Sequence, residues 1–60
     1  MPVITFEADK LTLDQKKQIV KEFTDTAARV TEIPAEAFYV FLKENEPFNV
    51  GVGGKLLSDR

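Results

Sequence analysis

Ala37-Phe38-Tyr39-Val40-Phe41-Leu42 is apolar at every position, and how these residues fold decides the architecture. A run this short, rich in aromatic and β-branched side chains, reads as a strand buried on both faces rather than one alternating between core and water. Pro34 stands just upstream and stops any helix from running into it. Further upstream, Thr12-Leu13-Asp14-Gln15 carries a capping-box pattern: the Thr12 hydroxyl accepts from the Gln15 amide while the Gln15 side chain reaches back. The spacing therefore predicts a helix opening after Thr12. Leu13, Ile19, Val20, Phe23, Ala27 and Val30 share one face of it, and Lys17, Lys21, Asp25 and Arg29 form a charged stripe on another. Asp25 and Arg29 stand at i,i+4 spacing. The stripe reads as a solvated face.

Before the helix, Val3 to Ala8 alternates Val3, Thr5 and Glu7 with Ile4, Phe6 and Ala8, the period of a strand. Strand, helix, strand is a βαβ unit of the α/β (α+β) class, and its crossover makes the strands parallel and the connection right-handed. After Glu44, Asn45 to Pro47 is turn-like, and Gly51, Gly53 and Gly54, which are all the glycines of the chain, precede a short Lys55-Leu56-Leu57 stretch. This end reads as a small hairpin or bent arm. Residues 1–60 form a single domain without repeats or a linker. One helix covers only one face of a strand that is apolar on both. The other face calls for a second copy, and an arm packed on a neighbour fits the same picture.

Composition narrows the function. The chain has 60 residues, no Cys and no His, which excludes disulfides, thiolate or imidazole metal sites, and cysteine or histidine catalysis. A core this small is marginal alone, so association is the remaining source of stability. A net charge of -2 and the absence of a basic run argue against nucleic acid. No apolar run is long enough to span a bilayer, and the start lacks a basic region ahead of an apolar one, so the expectation is a cytoplasmic protein with no membrane partner.

Candidate chemistry is sparse. Gly53-Gly54-Lys55 ends like a phosphate-binding loop, but that motif needs Gly at Asn49 and Ser or Thr at Leu56. Glu44 and Glu46 lie in a presumed surface turn, where solvated charge outweighs acid–base work. Phe38 and Phe41 suit a core or an interface, whereas Tyr39 carries a hydroxyl that needs a partner if buried. Pro2 is the unusual residue: loss of Met1 ahead of a small second residue leaves a free secondary amine, which is basic and nucleophilic.

Met1-Pro2 leading a strand, Asp14-Gln15-Lys16 opening the helix, Pro34 before the second strand and Gly51-Val52-Gly53-Gly54 near the end together resemble the 4-oxalocrotonate tautomerase family over essentially the whole chain. The resemblance implies a βαβ subunit in a homo-oligomer, commonly a hexamer built as a trimer of dimers. It also implies that Pro2 is the catalytic residue, a general base that shuttles a proton between keto and enol forms of a small-molecule substrate without a cofactor or a metal. The family's substrate-binding arginines fall on Leu11, with Lys10 adjacent, and on Tyr39. Its aromatic beside the glycine cluster falls on Val50, with Phe48 close by. The implied substrate-binding set is therefore Lys10, Leu11, Tyr39, Phe48 and Val50. A free α-amine titrates near ~8, so a base working at neutral pH needs desolvation, here expected from Phe6, Tyr39, Phe41, Phe48 or Val50. Other readings are a non-enzymatic oligomeric module, or another proline-dependent reaction such as dehalogenation, hydration or decarboxylation.

Overall fold

The computed structural model describes residues 1–59 of the chain. Strand β1 covers Val3–Ala8, helix α1 Leu13–Thr31 and strand β2 Tyr39–Glu44. The strands are parallel, paired from Val3 with Tyr39 through Ala8 with Glu44. This is the expected βαβ unit. A short antiparallel hairpin follows, β3 (Gly51–Val52) against β4 (Lys55–Leu56). Its two connecting residues, Gly53 and Gly54, have φ of 62° and 87°, the doubly positive turn whose twist matches the hairpin and that glycine adopts without strain.

The capping box is present in full: Thr12 Oγ1 accepts from the Gln15 amide at 3.1 Å, and Gln15 Oε1 accepts from the Thr12 amide at 3.0 Å. At the other end α1 stops at Thr31, before Pro34 forces it, because Glu32 turns into the left-handed region (φ 60°) and its N–H closes on the Ala28 carbonyl. The second strand differs from its predicted bounds. Ala35–Ala37 forms a turn of 3-10 helix, with the Ala37 and Phe38 amides bonded to the Pro34 and Ala35 carbonyls, so β2 begins at Tyr39. It then continues past the apolar run through Lys43 and Glu44. The Asn45 amide still donates to the Ala8 carbonyl at 2.8 Å, which holds the ladder to its last rung.

Ile4, Phe6 and Ala8 of β1 and Val40 and Leu42 of β2 are half-buried on the helix side, where Phe6 meets Phe23 edge-on with ring centroids 5.6 Å apart. Ile19 and Ala27 join them, whereas Leu13 and Val30 remain 67% exposed at the two ends of α1, beyond the reach of a two-stranded sheet. Asp25 pairs with Lys21 at 2.7 Å rather than with Arg29. The opposite face of the sheet is open: Val3, Tyr39 and Phe41 are 49%, 51% and 50% exposed.

Among the described residues none is fully buried. The accessible surface of 4876 Å² exceeds the roughly 4,000 Å² expected of a folded monomer of this mass. The radius of gyration, 14.7 Å, compares with about 10 Å for a compact chain of this length. The lone subunit is thus an unfinished globule. Glu44 supplies a long-range tie: it accepts from the Leu11 amide at 2.9 Å and pairs with Lys16 at 3.3 Å, joining the end of β2 to the loop that opens α1.

Two outcomes follow from this construction. Sedimentation at micromolar concentration is expected to find an oligomer, and a folded monomer there contradicts the reading of the open face. The Leu11 amide, and then Lys16, hold the Glu44 carboxyl below its usual range. The stability from this group is therefore complete above the unfolded-chain value of about 4.3 and is lost as pH falls through the lower folded-state value. Glu44→Gln is expected to lower the thermal midpoint at about pH 7, with the gap from the parent closing toward about pH 2.

Candidate functional site

Pro2 stands just ahead of β1, where a residue without an N–H loses nothing from the ladder. Its carbonyl accepts the Tyr39 N–H at 3.0 Å, which fixes the proline backbone to the first residue of β2. Pro2 is half-buried, whereas Met1 before it is 83% exposed. Tyr39 lies on the open face, and Phe41 follows two residues along the same face. Phe6 does not belong to this group, since it points to the helix side and packs on Phe23.

The other expected site residues lie elsewhere in the subunit. Lys10 and Leu11 occupy the loop after β1, and a strand of 6 residues separates them from Pro2 by about 20 Å. At that end, Asp9, Lys10, Glu44, Asn45, Glu46 and Pro47 line a cleft of about 520 Å³. Leu11 is half-buried, with its amide committed to Glu44, and it borders a second cleft of about 310 Å³ beside Gln15, Gln18, Ile19, Glu22 and Phe23. Phe48 is exposed in the 3-10 turn Pro47–Asn49, and Val50 is half-buried beyond it, its carbonyl accepting the Leu57 amide at 2.8 Å. One subunit therefore joins Pro2 to Tyr39 and keeps Lys10 and Leu11 apart from them.

Glu44 is the residue whose place differs most from the sequence reading. It closes β2 instead of sitting in a surface turn, and it gathers the Leu11 amide, Lys16 and, at longer range, Lys10 around one carboxylate. The signal was Lys16, which the helix places one turn in, facing the end of the neighbouring strand. No cluster of three or more His, Cys, Asp or Glu suited to a metal ion occurs among the described residues.

The architecture and the sequence both have counterparts. The sequence profile described as tautomerase enzyme matches residues 2–60. A probable tautomerase of Listeria monocytogenes serotype 4b is 38% identical over 60 residues, covering 98% of either chain. A probable tautomerase of Bacillus cereus is 34% identical over 61 aligned positions and the full length of both. Among solved structures, the 4-oxalocrotonate tautomerase homologue YwhB superposes with a TM-score of 0.91 at 30% identity over 98% of each chain. DmpI from Archaeoglobus fulgidus gives 0.86 at 34% identity, over 97% of this chain and all of its own. Matched along its length in sequence and in fold, the chain belongs to the tautomerase enzyme family.

Proposed function

We propose that this chain catalyses keto–enol proton transfer on a small unsaturated 2-oxo acid, with the nitrogen of Pro2 as general base once Met1 has been removed. The observation that carries the reading is the bond from the Tyr39 N–H to the Pro2 carbonyl at 3.0 Å, beside an exposed Met1. It holds the proline from its carbonyl side, so removal of Met1 frees the nitrogen without disturbing the anchor. While Met1 remains, that nitrogen is an amide and has no usable basicity.

In the reaction, the neutral amine takes a proton from an enol hydroxyl, or from carbon next to a carbonyl, and returns it elsewhere on the conjugated system. The base works best with a pKa near the working pH, so the free-amine value of about 8 has to fall. Tyr39 and Phe41, on the face that a neighbour would cover, supply the apolar surroundings that disfavour the ammonium form. The Tyr39 hydroxyl donates to the substrate oxygen where negative charge develops. Lys10 and Leu11 contribute to substrate binding from another copy, given about 20 Å between Pro2 and Lys10 within one subunit, and Phe48 and Val50 complete the proposed binding set. A hexamer built as a trimer of dimers is the assembly proposed to bring them together, in the cytoplasm.

Neither Leu11 nor Tyr39 offers the two-pronged guanidinium contact that selects a second carboxylate. The preferred substrate is therefore a monoacid enol. Phenylenolpyruvate is expected to give a kcat/KM at least equal to that of 2-hydroxymuconate. A preference for the diacid of about a hundredfold, nearly 3 kcal/mol in transition-state binding, contradicts this choice of substrate.

Pro2→Ala is expected to keep the oligomer and to lower kcat/KM by about a hundredfold to ten-thousandfold, the usual worth of general base catalysis. Some rate survives because alanine still presents a primary amine. Protein with Met1 uncleaved is expected to be inactive. Full activity in either form places the base elsewhere, and inactivity of parent and variant on every enol favours a non-enzymatic oligomeric module.

A further inference from the structure

Residues 9–12 join β1 to α1 and carry Lys10, and the backbone is tied on both sides of that residue. Before it, the Ala8 carbonyl accepts the Asn45 amide at 2.8 Å. After it, the Leu11 amide donates to Glu44 Oε2 at 2.9 Å and the Thr12 amide to Gln15 Oε1 at 3.0 Å. The Thr12 bond belongs to the capping box and orients the start of α1. The Glu44 bond is of another kind, because a side chain of β2 reaches across 33 positions of sequence to hold the loop itself.

The same Glu44 oxygen pairs with Lys16 of α1 at 3.3 Å. Lys10 lines the cleft beside Glu44, yet among the described residues the ion pairs are Lys16–Glu44 and Lys21–Asp25. Lys16 thus occupies the carboxylate and leaves the Lys10 ammonium uncommitted. A cation carried on a backbone that is already fixed has less ordering to undergo when it meets an anion. The charge of Glu44 works the other way: with Asp9 and Glu46, which line the same cleft, it offsets the field of Lys10.

We propose that Glu44 is a positioning residue: by holding the Leu11 amide it sets the loop that presents the Lys10 ammonium to a substrate carboxylate. The inference rests on the proposed place of Lys10 in the substrate-binding set and adds to it a residue that acts through Lys10 rather than on the substrate.

Reach and charge are separable at this position. Glu44→Gln keeps the reach and an accepting oxygen without the charge, whereas Glu44→Asp keeps the charge and withdraws it by one methylene from the Leu11 amide. Binding is read by NMR titration at about pH 7, where carboxylate and ammonium are both charged. The protein lacks Met1, and helical circular dichroism checks that each variant is folded. The ligands are cinnamate, an unsaturated monoacid without a keto or enol group, and cinnamamide, its uncharged counterpart. The parent is expected to bind the acid about tenfold more tightly than the amide, the scale of one charge-assisted hydrogen bond, and Lys10→Met to lose that preference. Glu44→Gln is expected to keep most of the preference. Glu44→Asp is expected to lose it with little change toward cinnamamide, and to cost nothing further when added to Lys10→Met. Glu44→Met, which keeps the length without an acceptor, replaces the Asp variant if that form lacks the helical signal, with the same loss expected.

Equal weakening toward acid and amide marks a general structural role for Glu44 and overturns the inference. A parent without preference overturns it too, as do Gln and Asp variants that behave alike. Turnover of phenylenolpyruvate by the same proteins scores Pro2 separately. No turnover, with a preference that follows Glu44, overturns the base and keeps the positioning role; normal turnover, with a preference indifferent to Glu44, does the reverse.

Discussion

One helix lies on one side of two parallel strands, and among the described residues nothing lies on the other. Most of the molecule follows from that imbalance. Ile4, Phe6, Val40 and Leu42 find Ile19, Phe23 and Ala27, yet even these remain only partly buried, because a two-stranded sheet is too narrow to enclose an apolar layer. Among the described residues no further element covers the open face. The hairpin of β3 and β4 does not cover it either, since Tyr39 and Phe41 remain half exposed.

The same geometry positions the chemistry. Parallel pairing from Val3 with Tyr39 puts Pro2 and the start of β2 at one end, and puts Lys10, Leu11 and Glu44 at the other. The proposed base at Pro2 and the cation of Lys10 do not meet on one small substrate within a subunit. The ties of Glu44 to the Leu11 amide and to Lys16 fasten the second end, while at the first the Pro2 carbonyl accepts the Tyr39 N–H. An assembly that covers the open face would add burial that the lone subunit lacks and would desolvate Tyr39 and Phe41 near the proposed base.

Much of the fold was legible because its local signals agree. The period-two alternation of Val3–Ala8 and the reciprocal Thr12–Gln15 pattern each have one physical solution, and the structure contains both. The second strand was harder to frame. Ala37 and Phe38 continue the apolar run, yet the turn begun at Pro34 captures their amides, and Lys43 and Glu44 remain in the strand because an edge facing solvent accepts charge. Leu13 and Val30 fit the helical period but lie exposed, since periodicity records direction around the helix and not the length of the sheet beneath it. Within the candidate site, Pro2 stood out as the residue that becomes a free secondary amine once Met1 is lost, and the family resemblance pointed to the same position. The separation of Lys10 and Leu11 from it was not legible, because that distance is set by strand length and topology, which no local pattern encodes. The role of Glu44 was hidden for the same reason, being fixed by the end of a neighbouring strand.

The central claim is that the amine of Pro2 is the working base, which makes the titration of that nitrogen the most direct measurement. With ¹⁵N-labelled proline in protein lacking Met1, the Pro2 resonance is expected to titrate in one step, with a midpoint below the free-amine value of about 8 and coincident with the ascending limb of kcat/KM. A midpoint at or above that value, or a pH–rate profile that rises through a different group, contradicts the account.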